Sequence, residues 1–202
     1  MSTRFRLIYE KRGGACFVPH VSLASLFTRA ALRAGVSLAL TQGFSPHPRM
    51  SFGPELPAGV VALAEPVDVW TEGEPEEMLS RWDAALPEGF RLLRAYPVAE
   101  DAPSLGKVCL AARYWVCGEL RSDELLERAR ACYGEAVLDA EAGLDVEENG
   151  QPVWLSLKLS APAQNGIGGW VRQMIADGVI AGWQALHIIR AEVELATREG
   201  HS

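Results

Sequence analysis

The segment Thr41–Phe52, TQGFSPHPRMSF, concentrates more groups with chemical capability than any other stretch of the chain. It brings together the amide of Gln42, the ring of Phe44, the imidazole of His47 and the guanidinium of Arg49, interleaved with Gly43, Pro46 and Pro48. Prolines on both sides of His47 hold its backbone extended and keep it out of a sheet interior. A stiff loop presenting these groups can bind a phosphate, a carboxylate or an unpaired base. The competing reading is a plain rigid connection between two strands. His47 is expected to be partly exposed, within reach of Gln42 or Arg49, and to serve ligand binding rather than proton transfer. The reason is that no carboxylate stands beside it in the sequence to raise its basicity.

Three further groups are candidates. His20, in FVPHVS, stands at the start of a helix and is a possible acid, base or ligand, or a capping and packing group. Arg29 and Arg33 lie four apart on the outer face of that helix, either as a solvated face or as part of an anion-binding surface. The binding reading expects both to share one exposed surface with Arg49 and His47. Gly166, Gly168 and Gly169 open a later helix, where free N–H groups suit an anion. That loop lacks the lysine of a P-loop and the Rossmann spacing, and its alternative use is close backbone packing.

No GxSxG, HExxH or Walker A motif is present. Cys16, Cys109, Cys117 and Cys132 form no CxxC pair and no zinc spacing with the histidines, so they are expected to be reduced, packing residues. No metal and no cofactor is expected.

The elements that must position these groups follow from periodicity. At 202 residues, 49% hydrophobic and 22% charged, the chain has the composition of a packed protein with room for one large domain or two smaller ones. Arg4–Lys11 alternates like a strand. Val21–Ala34 carries one apolar helical stripe closed by Gly35. Strands are predicted at Val36–Leu40, Met50–Phe52, Gly59–Leu63, Val67–Trp70 and Gly89–Ala95, with a helix over Glu74–Leu86. After a Pro- and Gly-bearing segment, 97–107, the order restarts. It reads strand Leu110–Cys117, helix Asp123–Tyr133 capped by Ser122, strands Ala136–Ala142 and Pro152–Ser160 around Asn149-Gly150, helix Ile167–Ala176 and strand His187–Leu195. The expected fold class is therefore α+β: two tandem ferredoxin-like (βαββαβ) domains with antiparallel sheets. Their bounds are 1–96 and 108–198, joined by an exposed linker, 97–107.

Charge is uneven. The net is −7, yet residues 1–60 carry seven arginines and lysines against Glu10 and Glu55, a net of +5, and the remainder carries −12. Such asymmetry points to a localised polyanion site or an electrostatic interface. No stretch reaches the roughly 18 apolar residues of a membrane span, and the N-terminus has no apolar signal region, so a cytoplasmic protein without membrane contact is expected.

The stretch FVPHVSLASLFTRAALRAGVSLALTQGFSPHPRMSFGPELPAGV resembles the bacterial radical-SAM-associated (radical-SAM-linked) domain-of-unknown-function family. That family reads approximately Phe-Leu-Ser-His-Leu-Asp, an arginine-rich helix, Ser-Gln-Gly-Phe-Asn-Pro-His-Pro-Arg, then Phe and Pro-Leu-Pro. Pro19, Ser22 and Ser25 depart from it, standing where the pattern has Ser, Asp and Arg. Losing the acid near His20 weakens any scheme in which a carboxylate orients that ring. Members are encoded beside, or fused to, a cobalamin-binding radical-SAM protein, often near ribonuclease and ribosomal-protein genes. The resemblance implies an accessory module for such a partner. Three functional readings stand: a binding module recognising RNA or another anionic substrate for a radical-SAM partner, an RNA-processing or RNA-modifying enzyme using His20 and His47, and a purely structural scaffold.

Overall fold

The computed structural model describes residues 2–72, 75–144 and 154–196. The fold is mixed α+β, with mostly antiparallel sheet and five α-helices among the described residues. The chain divides into two compact units, one of Met1–Gly53 with Val61–Lys107, the other of Pro54–Val60 with Val108–Ser202.

The first unit runs β1 (Thr3–Lys11), α1 (His20–Arg33), β2 (Met50–Phe52), β3 (Val61–Thr71), α2 (Pro75–Ala85) and β4 (Phe90–Pro97). Its strands lie in the order β4-β1-β3, with β2 also paired to β3, all antiparallel. Alternation explains its two faces. Phe5, Leu7 and Tyr9 of β1 and Val67 and Val69 of β3 pack with Leu23, Phe27, Ala30 and Ala31 of α1 and with Met78 and Trp82 of α2. Phe27 is the hub: the rings of Tyr9, Phe52, Trp82 and Phe90 meet it edge-on at 5.1, 5.5, 6.1 and 6.1 Å. Edge-to-face packing adds to the area these rings bury.

The opposite face is built on charge. Asp68, fully buried, accepts Arg6 Nε at 2.7 Å on one oxygen, and Arg4 Nε at 3.1 Å with Arg6 Nη2 at 3.0 Å on the other. Arg4 also donates to the carbonyls of Ala102 and Pro103 at 2.6 and 2.9 Å. The segment 97–107, expected as an exposed linker, is thereby fastened to β1. The one-turn helix α3 (Leu105–Val108) begins within it, and Leu105 is fully buried.

Several local expectations are corrected. Val36–Leu40 forms no strand, only isolated bridges of Leu38 to Thr71 and Leu40 to Pro48. Ala39 explains this, because its N–H donates to Trp70 O while its carbonyl accepts from Arg49, so its bonds are split between two neighbours. Conversely, the two strands expected at Gly59–Leu63 and Val67–Trp70 are one, β3, running through Pro66. Pro66 brings no N–H to the ladder, but its carbonyl accepts the Gly53 N–H at 2.9 Å, and a side chain on Gly53 would come within 2.9 Å of the Pro66 ring.

The second unit runs β5 (Cys109–Gly118), α4 (Ser122–Tyr133), β6 (Val137–Leu144), β7 (Trp154–Ser160), α5 (Ile167–Ala176) and β8 (Leu186–Leu195), ordered β8-β5-β7-β6. Leu155, Leu157 and Leu159 share one fully buried face as their alternation predicts. Val153, Pro152 and the Asn149-Gly150 loop lie outside the described residues. Ser122 is not the cap of α4: Arg121 holds that position, and Asp123 Oδ1 instead accepts the Glu124 N–H at 2.9 Å. In β8 the buried side begins as Leu186, Ile188 and Arg190, which reverses the alternation read at Ile189 and Arg190. Beyond it Val193 and Leu195 are half-buried and Glu192 and Glu194 exposed, as read. A register shift skips Ala191, with Tyr114 opposite Arg190 and Arg113 opposite Glu192, and one extra residue exchanges the faces. Arg190, 1% exposed, donates to the carbonyls of Pro54 and Glu55 at 2.8 and 3.2 Å, which ties 54–60 to this unit rather than the first.

Replacing Asp68 by Asn leaves the Arg4 and Arg6 guanidiniums buried against a neutral acceptor. We expect a loss of about 3–5 kcal/mol in urea unfolding; a loss below about 1 kcal/mol, in the range of exposed pairs, contradicts the role given to this carboxylate.

Candidate functional site

The loop between α1 and β2 is closed at its base. Thr41 N–H donates to His47 O at 2.8 Å, His47 N–H donates to Thr41 Oγ1 at 3.2 Å, and Leu40 bridges Pro48. His47 Nδ1 lies 3.1 Å from Thr41 Oγ1 and 3.2 Å from the Ser45 carbonyl, so one ring nitrogen is spent locally while the residue stays exposed. Its hydrogen-bond partners are Thr41 and Ser45. Beyond the closure, Gly43 takes φ +137°, open to glycine, and turns the chain outward. Phe44 then stands fully in solvent, its exposure that of an isolated residue. Gln42 is exposed beside it.

Arg49 leaves the loop on the charged face of the sheet. Its guanidinium carbon sits 4.0 Å from the centre of the Trp70 ring, and Arg4 approaches the same ring at 5.3 Å. Stacking on an aromatic face holds a guanidinium without using its donors, so Arg49 keeps its N–H groups for an anion. Trp70 was not among the candidates; the only hint was its place at the end of an alternating strand.

The other candidates lie elsewhere. His20 starts α1 half-buried, its ring edge-on to Phe52 at 5.9 Å, at the margin of the aromatic core. Arg29 and Arg33 are exposed on α1, against the helical face of the sheet, with Arg33 Nη2 donating to Ala85 O at 2.7 Å. Arg49 stacks on the other face. The three arginines therefore do not form the single surface expected.

In the second unit Gly166 is the N-cap of α5, and Tyr133 Oη donates to its carbonyl at 3.1 Å. Burial pushes the Tyr133 phenol well above its ordinary range, so it remains a neutral donor. A side chain on Gly168 would meet Pro57 at 2.9 Å and Arg172 at 3.3 Å, which is close backbone packing. A cavity of about 220 Å³ opens beside Gly166, Gly168 and Gly169; Arg172 lines it, and so does Glu55, whose carboxylate opposes an anion there. Among the described residues no cluster of three or more His, Cys, Asp or Glu could hold a metal. Nor is any described helix long and apolar enough to cross a membrane.

A profile of the bacterial family described as "uncharacterized protein conserved in bacteria" (DUF2344) matches residues 4–146. The chain belongs to that family. The match takes in the whole α1–β2 loop of this DUF2344 protein, and the family description names no radical-SAM protein. No curated protein matches the chain. Among solved structures it is similar to one described as an unknown protein from Galdieria sulphuraria, at 10% identity and TM-score 0.30, over 98% of this chain and 100% of that one. Another, described as a "putative glycine cleavage system transcriptional repressor", is 9% identical with TM-score 0.26, over 94% and 99%. At such scores neither likeness carries weight for fold or function.

Two measurements check the site. Thr41→Val removes the acceptor of the His47 N–H, and hydrogen exchange at that amide should accelerate about fivefold, as for a bond worth about 1 kcal/mol, with global stability nearly unchanged. Unchanged exchange means the loop is not closed there. Cys132 is the exposed thiol, whereas Cys16, Cys109 and Cys117 are buried. A native-state thiol reagent should therefore modify Cys132 first, faster as pH rises, because the thiolate is the reacting form and partial desolvation of the sulfur, in a residue that is exposed as a whole, raises its pKa. Equal labelling of two or more thiols contradicts that burial.

Proposed function

We propose that this DUF2344 protein is a binding module that recognises single-stranded RNA, or a similar anionic ligand with a planar base, through the 41–49 loop. The carrying observation is Phe44, a phenyl ring held wholly in water by a loop whose base is hydrogen-bonded shut. Keeping an apolar ring in water costs free energy, and a stacked base is a partner that fits a ring of this size. Gln42 supplies an amide for base edges, His47 a second ring, and Arg49 a guanidinium with its donors unspent. One His47 ring nitrogen is already engaged by Thr41 and Ser45, which favours binding over proton transfer at that ring.

Two finer readings belong to the same proposal. Each unit is read as ferredoxin-like, supported by the βαββαβ order and by edge-to-edge orders that repeat between units, β4-β1-β3 with β2 beyond, and β8-β5-β7-β6. Ferredoxin-like sheets serve widely as RNA platforms. The radical-SAM partner and the cytoplasmic setting rest on the resemblance of residues 17–60 and on the sequence respectively, and the module would present its ligand to that partner.

A fluorescein-labelled oligouridine tests the reading by anisotropy. Phe44→Ala should weaken binding roughly tenfold, the worth of one stacked base. His47→Gln should weaken it less than His47→Asn or His47→Ala. Because Arg29 and Arg33 lie on the other side of the sheet, the logarithmic salt slope should be only about −0.7 to −1.4, one or two phosphates. Absence of binding, or full binding by Phe44→Ala, removes this function from the loop.

A further inference from the structure

The outer face of α1 is a second surface that the loop does not use. A groove of about 590 Å³ runs along it, lined by Val21, Ser22, Ser25, Leu26, Arg29 and Arg33, with Pro87 as its far wall. Val21 at one end is 86% exposed, and Leu32, one turn beyond Arg29, is 72% exposed. Bare apolar side chains at both ends of a groove mark an interaction surface.

The charge of the groove is single-signed. Residues 20–33 contain no Asp or Glu, and no acidic side chain lines the groove. Arg29 has no ion-pair partner among the described residues, while Arg33 is steadied at the other end by the Ala85 carbonyl. The first turn of α1 has no side-chain cap and no acidic residue, so the positive end of the helix dipole adds to the same field.

We propose that this groove docks an acidic amphipathic helix of a partner protein. Val21 and Arg33 are twelve positions apart, so the groove is about 18 Å long, the length of a helix of some twelve residues. Apolar residues on one face of such a helix would fill the space over Val21, Leu26 and Pro87. Glutamates or aspartates flanking them would meet Arg29, Arg33 and the uncapped turn. A nucleic acid fits less well, because the floor is apolar and no aromatic side chain lines the groove for a base to stack on. This inference is independent of the loop reading and uses none of its residues.

The test uses the full chain and a fluorescein-labelled synthetic helix of about 14 residues with leucines on one face and glutamates on the other. A control peptide has lysine at every glutamate. The glutamate peptide should bind at least about tenfold more tightly than the lysine peptide, and the Arg29→Glu, Arg33→Glu double variant should reverse that order. Ser25→Trp, a substitution at an exposed position, should block the glutamate peptide by filling the groove, which keeps the test decisive if the double variant folds poorly. Equal binding of both peptides means general apolar adhesion and overturns the proposal, as does absence of binding. Displacement of the glutamate peptide by oligouridine also overturns it, assigning the groove to nucleic acid. Failure of oligouridine to bind at all bears on the loop and leaves this groove's result standing.

Discussion

The carboxylate of Asp68 is shared by two guanidinium groups in a place that water does not reach. Burying three charges costs several kcal/mol each unless every hydrogen-bonding position is filled, and here geometry leaves little freedom. Arg6 stands directly opposite Asp68 in the pairing of β1 with β3, so a slip by one residue would move both arginines to the aromatic face. The same cluster sets what can be built around it. Arg4 reaches on to the carbonyls of Ala102 and Pro103, holding the chain as it leaves β4. Trp70, two residues after Asp68, is turned to the same side and becomes the plate on which Arg49 rests.

From this the 41–49 loop acquires its form. Its two ends are fixed to β3 through Ala39 and Arg49, and Thr41 closes it on His47. Everything between is free of the sheet. Local bonds are used up at the neck, so the tip offers only a glycine hinge, an amide and an unpacked ring. Rigidity at the base with exposure at the tip lowers the ordering cost that a flexible loop would meet on binding.

Much of this was legible in the residues. Twofold alternation in Arg4–Lys11 and the 3.6-residue stripe of α1 are local signals, and α5 has the bounds its periodicity predicts. Legibility ended where a decision depended on a distant partner. Nothing near Val36–Leu40 says that Ala39 divides its bonds between Trp70 and Arg49. Nothing near β8 announces that Ala191 is skipped, which is why Arg190 reads as solvent-facing and proves buried. The site divided in the same way. Gln42, Phe44, His47 and Arg49 are close in the chain and can be read together, whereas Trp70, which carries Arg49, lies 21 positions further on and cannot. Arg29 and Arg33 were grouped with them by charge alone, and charge carries no information about which face of a sheet a residue occupies.

The seven residues Pro54–Val60 are an early-made part of a late-made unit. On a ribosome adding roughly 5–20 residues per second, Leu56 and Val60 emerge several seconds before β5 and about ten seconds before Arg190, whose donors take the carbonyls of Pro54 and Glu55. During that interval two side chains destined for burial have no unit to enter. The growing chain thus carries an exposed apolar tether out of its first unit, and the second cannot finish as an autonomous fold from its own contiguous stretch. Order of synthesis and order of assembly are separated, and any shortened form beginning at residue 108 would lack a piece of its own interior.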